Sequence, residues 1–209
     1  SDLPVIGLAY DGTGYGTDGT SWGGEVLLAT LGGFDRLATF RPVGLAGGDR
    51  AVREPWRVAL ALVLDAFEGA LPDDAASFFP DVTSAELAQM AALLRGGVHV
   101  SPARGVGRYF DGFGALFLGR RRAAFEGQVA LAWNQAADRT ATRVYPFVLD
   151  TSADVAEIDL RPAVRAAMDD HRRSLDVSVI AAAFHRTLAE ATAAAVRHAM
   201  GKVGDLRSE

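Results

Sequence analysis

The first 45 residues alternate short apolar runs with polar or glycine-rich breaks. Residues Pro4 to Tyr10 are largely apolar and lead into Asp11-Gly12, which predicts a buried strand followed by a turn. Two more apolar runs cover residues 25–31 and 37–43, and the breaks beside them contain glycine or proline. This part of the chain is therefore predicted to be rich in β-strands.

From Gly47 onward the apolar positions recur at helical spacing. Glu54 and Pro55 suit a first helical turn, and Thr83 with Glu86 three positions later forms a capping-box pattern. The predicted helices cover residues 53–67, 83–94, 105–118, 125–137, 160–171 and, behind a cap at Asp176 or Ser178, a stretch ending at Met200. Strands followed by helices predict an α/β protein.

The change of period divides the chain into a strand-rich part, residues 1–45, and a helix-rich part, residues 46–209. A length of 209 residues accommodates one large domain or two small lobes. This division marks either a boundary between two lobes or a single α/β domain in which the helices follow the strands in the sequence.

Composition and charge argue against several functions. No apolar run approaches the roughly 20 residues that cross a membrane, and no secretion signal is visible at the start of the sequence, so no membrane partner is expected. The 21 basic and 26 acidic residues give a net charge of -5, which makes nucleic acid a poor partner. The absence of cysteine excludes disulfides, a thiolate zinc site and a cysteine nucleophile, and it suits the cytoplasm.

Residues 11–25, with the sequence DGTGYGTDGTSWGGE, contain six glycines and are the strongest candidate for chemistry. Bare backbone N–H groups can converge on an anion, which makes Asp11, Gly12, Thr13 and Gly14 candidate phosphate ligands. The segment matches neither the P-loop nor the dinucleotide fingerprint. A glycine-rich β-hairpin whose turns need positive φ explains the same composition.

Asp111 lies on the apolar stripe of the predicted helix over residues 105–118, where an isolated carboxylate would be costly to bury. It requires a partner, which is either Arg108 three residues earlier or a hydroxyl group of a ligand. Gly127 is a tight glycine at the start of the next predicted helix, and Glu126 and Gln128 beside it either contact a ligand or favour the first helical turn.

Asp49 and Arg53 follow a Gly-Gly turn. Arginines near the start of a helix oppose the helix dipole, so Arg53 and Arg57 are expected to face an anion or a carboxylate elsewhere, or else to pair with Asp49 or Glu54. The basic run from Arg120 to Arg122 is interpreted as a solvated loop. The four histidines are far apart in sequence, and no metal site is expected from this chain alone.

Five segments in the same order resemble one family. They are VIGLAYDGTGYGTDGTSWGGE (5–25), GGDRAVREPWRVAL (47–60), ARGVGRYFDGFGAL (103–116), FEGQVAL (125–131) and AAAFHRTL (181–188). The family is that of the hydrogenase maturation carbamoyltransferase HypF, in its C-terminal domain, which is related to the tRNA threonylcarbamoyl transferases. The resemblance implies the actin/sugar-kinase/Hsp70-like fold, two ribonuclease-H-like lobes with a nucleotide in the cleft, incomplete in this chain.

The resemblance also implies an activity and its ligands. The family binds ATP or carbamoyl-adenylate and passes the carbamoyl group to the C-terminal cysteine of a HypE-like partner during NiFe hydrogenase maturation. By position, Asp11 to Gly14 would lie against the phosphate, and Asp111, Glu126 and Gly127 would contact the nucleotide. Asp49, Arg53 and Arg108 are possible contacts to an anion or to the partner.

The sequence departs from the family pattern at both ends. The histidine motif that supplies metal ligands is expected before Ser1, and a serine-glycine segment that closes over the adenosine is expected after Leu206. The chain is therefore expected to be a middle piece of a carbamoyltransferase, inactive in isolation, with a divalent metal only where the upstream motif is present. The alternative is a non-catalytic scaffold or docking fragment of the same family.

Overall fold

A computed structural model describes residues 3–206. The strands are β1 (Val5–Tyr15), β2 (Ser21–Thr30), β3 (Gly33–Phe40), β4 (Val43–Ala46), β5 (Val100–Ala103), β6 (Val148–Asp150) and β7 (Ala156–Asp159). The helices are α1 (Asp49–Arg53), α2 (Trp56–Ala66), α3 (Ser84–Gly96), α4 (Val106–Phe117), α5 (Gln128–Ala136), α6 (Arg161–Arg172) and α7 (Val177–Leu206), with a short 3-10 helix at Ala75–Phe78. Within these residues no helix is long and apolar enough to cross a membrane.

One mixed sheet contains all seven strands, in the order β4-β5-β2-β3-β7-β6, with β1 paired to β2. The pairs β1–β2, β2–β3, β4–β5 and β6–β7 are antiparallel. The pairs β2–β5 and β3–β7 are parallel, with Ser21 opposite Ala103 and Ala38 opposite Ala156. Strands from the first 46 residues thus pair in the sheet with strands from later in the sequence.

The glycine-rich segment forms a β-hairpin. Strand β1 continues through Asp11 to Tyr15, and its register against β2 shifts between Tyr10 and Gly14. The Asp18 carboxylate holds the turn, since it accepts hydrogen bonds from the Thr20 N–H at 3.0 Å and from the Trp22 indole N–H at 2.9 Å. The segment therefore presents strand backbone with a bulge rather than a free loop.

Helix α2 is the centre of the core. All of its residues except Asp65 are buried, because it packs against α3, α4, α6 and strand β4. The predicted capping box at the start of α3 is confirmed, with Glu86 N–H donating to Thr83 Oγ1 at 3.2 Å and Thr83 N–H donating to Glu86 Oε2 at 3.0 Å. Helix α4 carries the predicted aromatic stripe, and its Phe113 and Phe117 face α7 and α5.

Candidate functional site

A cavity of about 510 Å³ opens between strand β1, helix α1 and the segment that precedes α5. Its polar lining consists of four predicted site residues, namely Thr13, Asp49, Arg53 and Glu126. The apolar lining comes from Val52 and residues 123–125. The structure therefore brings together residues from three parts of the sequence that were candidates for independent reasons.

Strand β1 and helix α4 approach each other through glycine. A Cβ atom at Gly107 would lie 2.7 Å from Gly12 Cα, and one at Gly105 would overlap the Gly12 carbonyl oxygen. No side chain fits between these two backbones. The close approach places the first turn of α4 directly behind the glycine segment.

Arg108 and Asp111 form a buried ion pair on α4. Arg108 Nη1 lies 3.1 Å from Asp111 Oδ2, and both side chains are at most 5% exposed. A Cβ atom at Gly12 would lie 2.8 Å from Arg108 Nη2, so the guanidinium abuts strand β1. Arg108 Nε has no hydrogen-bond partner within residues 3–206. This pairing is one of the two alternatives that the sequence left open for Asp111.

Burial raises the pKa of Asp111 to about 6; Arg108 opposes the rise and the negative charge of Glu126 adds to it. Glu126 is exposed at the cavity, and Gly127 follows it with a φ of 79° as the residue before α5. The positive φ favours glycine at this position and directs the chain into the helix. Asp111 is thus buried and does not line the cavity, although the charge of Glu126 in the lining contributes to its raised pKa.

Arg53 pairs with neither Asp49 nor Glu54 in the part of the chain that the structure describes, and its side chain lines the cavity. Glu54 is instead bound by Arg57 at 2.7 Å and by Arg50 at 3.1 Å. The predicted pairing with Glu54 is therefore confirmed for Arg57 but not for Arg53.

The remaining candidates do not line the first cavity. Asp11 is exposed and accepts a hydrogen bond from the Gly12 N–H at 2.6 Å. Gly14 lines a neighbouring cavity of about 470 Å³, which shares Thr13 with the first cavity. Asp11, Gly12, Gly14, Gly127, Arg108 and Asp111 are thus neighbours of the cavity but not part of its lining.

Two features of the site were not found from the sequence. Residues 120–122 form an irregular segment with Arg120 and Arg122 exposed, as predicted, but Arg121 also binds Glu86 and Arg122 lies 3.6 Å from Glu54. The buried Glu25 carboxylate accepts hydrogen bonds from Gly23 N–H and Gly24 N–H, both at 2.7 Å. The sequence WGGE, residues 22–25, could have indicated the hydrogen bonds of Glu25. The pairings of Arg121 and Arg122 could not be predicted, because their partners are far away in the sequence.

No group of three histidine, cysteine or carboxylate side chains that could hold a metal ion is found among the residues that the structure describes. The described residues therefore do not provide a complete ligand set for a metal ion.

Comparison with known proteins identifies the class. Residues 7–205 match the family model described as the second subdomain of the Kae1-like domain of carbamoyltransferases. The carbamoyltransferase HypF of Synechocystis sp. is 32% identical over 88% of this chain and 25% of its own length.

Two solved structures are similar over nearly the whole chain. A crystal structure of full-length HypF in a phosphate- and nucleotide-bound form has a TM-score of 0.87 and 30% identity, and it covers 98% of this chain and 31% of that chain. HypF of T. kodakarensis has a TM-score of 0.69 and 25% identity over 95% of this chain and 26% of that chain. The chain thus spans about a quarter of the length of several relatives it matches.

The fold and the matched model define a Kae1-like carbamoyltransferase domain, which confirms the predicted α/β fold of the actin/sugar-kinase/Hsp70 type. The chain belongs to the HypF family of carbamoyltransferases.

Proposed function

We propose that this chain is the segment of a HypF carbamoyltransferase that binds carbamoyl-adenylate or ATP. The segment would pass the carbamoyl group to the C-terminal cysteine of a HypE-like protein during NiFe hydrogenase maturation in the cytoplasm. The observation that supports the proposal is the cavity of about 510 Å³ lined by Thr13, Asp49, Arg53 and Glu126. Its volume lies within the range of about 300–1,000 Å³ that is usual for small-ligand sites.

The cavity combines donors for a phosphate with acceptors for a ribose. Arg53 offers a guanidinium without an ion-pair partner in the described residues, and Thr13 offers a hydroxyl from strand β1. Both groups would donate hydrogen bonds to the phosphate oxygens. The carboxylates of Asp49 and Glu126 would accept hydrogen bonds from ribose hydroxyls.

The proposed reaction does not require the protein to activate the substrate further, because an acyl-adenylate is already an activated acyl donor. The acceptor thiolate would attack the carbamoyl carbon, the bond from that carbon to the phosphate oxygen would break, and AMP would leave with the electron pair. Arg53 would stabilise the charge on the phosphate, and the apolar wall at Val52 and Phe125 would exclude water from the carbamoyl group. A serine or cysteine nucleophile in this chain is therefore unnecessary.

The related full-length HypF that was solved with phosphate and nucleotide supports a nucleotide ligand, since this chain matches it with a TM-score of 0.87. The acceptor protein and the carbamoyl group rest on the family resemblance. They are therefore tested separately from nucleotide binding.

The test is calorimetric titration of AMP into this chain and into the longer protein that contains it. We expect the longer protein to bind AMP, and Arg53→Gln to weaken binding by about ten- to a hundredfold, because a charge-assisted contact to phosphate is worth roughly 1.5–3 kcal/mol. The matched control is Arg139→Gln, an exposed arginine outside the cavity.

Absence of AMP binding by the longer protein would rule out the proposal, and so would an equal effect of the two substitutions. In the longer protein, carbamoyl transfer to an acceptor peptide that ends in cysteine is then measured for the same variants. Transfer that is unchanged by Arg53→Gln would favour the alternative of a docking fragment.

A further inference from the structure

A second cavity of about 520 Å³ adjoins the first on the far side of α1. The two cavities share Asp49, Arg53 and Ala123 in their lining. The second is additionally lined by Arg50, Glu54 and Arg122, so Arg53 stands between the two spaces. A ligand that fills the first cavity can therefore extend past Arg53 into the second.

The second cavity is positively charged, although the whole chain carries a net charge of -5. Its lining contains three arginines, Arg50, Arg53 and Arg122, against the two carboxylates of Asp49 and Glu54. Arg57 lies behind Glu54 at 2.7 Å and adds a fourth cation next to the lining. The local charge is thus positive by about two elementary units when all these groups are ionised.

Glu54 holds the guanidinium groups together. It is buried, and its carboxylate contacts Arg50 at 3.1 Å, Arg57 at 2.7 Å and Arg122 at 3.6 Å. Although burial alone would raise it, the pKa of Glu54 is held below its ordinary value by hydrogen bonds from Arg57 and Arg50. One carboxylate cannot neutralise three cations, so N–H donors of Arg50 and Arg122 remain available to another anion.

We propose that Arg50, Arg53 and Arg122 form a second anion-binding site, next to the nucleotide cavity, for the terminal phosphates of a nucleoside triphosphate or for inorganic pyrophosphate. The inference rests on the proposed function for its neighbouring nucleotide, but the site itself needs only the arginines. A polyphosphate matches it better than a single carboxylate does, since a polyphosphate carries several charges and can bridge guanidiniums on two segments.

The test compares AMP, ATP and inorganic pyrophosphate by calorimetric titration of the longer protein, at fixed ionic strength and without divalent metal. We expect ATP to bind at least about tenfold more tightly than AMP, and pyrophosphate to compete with ATP but not with AMP. In the double variant Arg50→Gln/Arg122→Gln, we expect the advantage of ATP to disappear while the affinity for AMP stays the same.

The matched control is Arg120→Gln, which removes a charge from the same basic run but outside both cavities. Thermal unfolding of each variant verifies that it is folded. The proposal is overturned if neither pyrophosphate binding nor an advantage of ATP over AMP depends on Arg50 and Arg122, or if Arg120→Gln has the same effect as the double variant. If AMP does not bind but pyrophosphate binds and depends on Arg50 and Arg122, the anion site stands and the proposed function fails.

Competition distinguishes the two sources of phosphate. Competition between pyrophosphate and ATP, with ATP favoured over AMP, assigns the site to the nucleotide's own terminal phosphates. Pyrophosphate that binds together with ATP, and that alone depends on Arg50 and Arg122, assigns it to a free anion instead.

Discussion

The ion pair of Arg108 and Asp111 places two charges where water is excluded. Arg108 has one ionic partner and a free Nε atom in the described part of the chain, so the pair is only partly satisfied. Removing one member of such a pair leaves an uncompensated charge, which usually costs more than the pair contributes. The pair is therefore expected to make stability depend on pH.

The first residue-scale prediction concerns that pH dependence. The pKa of Asp111 is about 6 in the folded chain against an ordinary value of 3.8, so the folded state binds the proton more tightly than the unfolded state. Its contribution to stability is complete below about pH 4 and is lost as the pH rises through 6. Relative to Asp111→Asn, the free energy of unfolding of the wild type should fall by up to about 3 kcal/mol between pH 4 and pH 7.

Urea unfolding of both proteins at several pH values measures this difference, since the other carboxylates titrate alike in both. Parallel curves for the wild type and Asp111→Asn would show that Asp111 keeps an ordinary pKa.

At the scale of elements, the contact between β1 and α4 holds the site together. It depends on the absence of side chains at Gly105 and Gly107, which face the backbone of Gly12. Backbone atoms cannot rotate away as a flexible side chain can, so an added methyl group must separate the two elements. Thr13, the next residue of the strand, lines the cavity, and its position depends on this contact.

We therefore predict that Gly107→Ala destabilises the chain by about 1–3 kcal/mol, although alanine favours helix formation. Gly96→Ala is the matched control, because Gly96 is also helical and an added Cβ atom would meet nothing within 4 Å. We expect the control to be neutral or to gain up to about 1 kcal/mol. Chemical denaturation of both variants measures the difference, and equal effects would contradict the proposed packing.

Prediction of the elements from sequence succeeded where a pattern was long or carried its own cap. Helix α3 was predicted from Thr83 and Glu86, and α2 from its sustained apolar spacing. Strands β5, β6 and β7 were missed, because three or four residues show no alternation and their pairing is set by distant strands. The hairpin at residues 11–25 was one of two alternatives that composition alone could not separate.

The candidate site shows the same limit. Thr13, Asp49, Arg53 and Glu126 were each chosen from local signals, and the structure places all four on one cavity. The role of Arg122 could not be predicted, because its partner Glu54 is 68 positions earlier in the sequence. Local sequence thus suggested the residue types of the site, whereas the fold determined which of them share a space.

At the scale of the whole molecule, the sheet makes residues 3–45 and 46–206 depend on each other. Strand β3 pairs with β7 over Ala38 to Phe40, and β2 pairs with β5 at Ser21. Phe40 is fully buried, and its ring centroid lies 5.6 Å from that of Tyr109 on α4. The core on which the cavity rests is therefore built from both parts of the chain.

The last prediction follows from this shared core. Phe40→Ala should lower the free energy of unfolding by about 3–5 kcal/mol, because it removes a fully buried ring. Since the core is shared, the loss should appear equally at amides of α2 and α4, which lie far from Phe40 in sequence, and at amides of β2. Hydrogen exchange under native conditions measures the protection of each element separately. Protection that falls in β2 but not in α2 would instead mean that the strand-rich and helix-rich parts unfold independently. The cavity between β1 and α1 would then depend on two separate folding units.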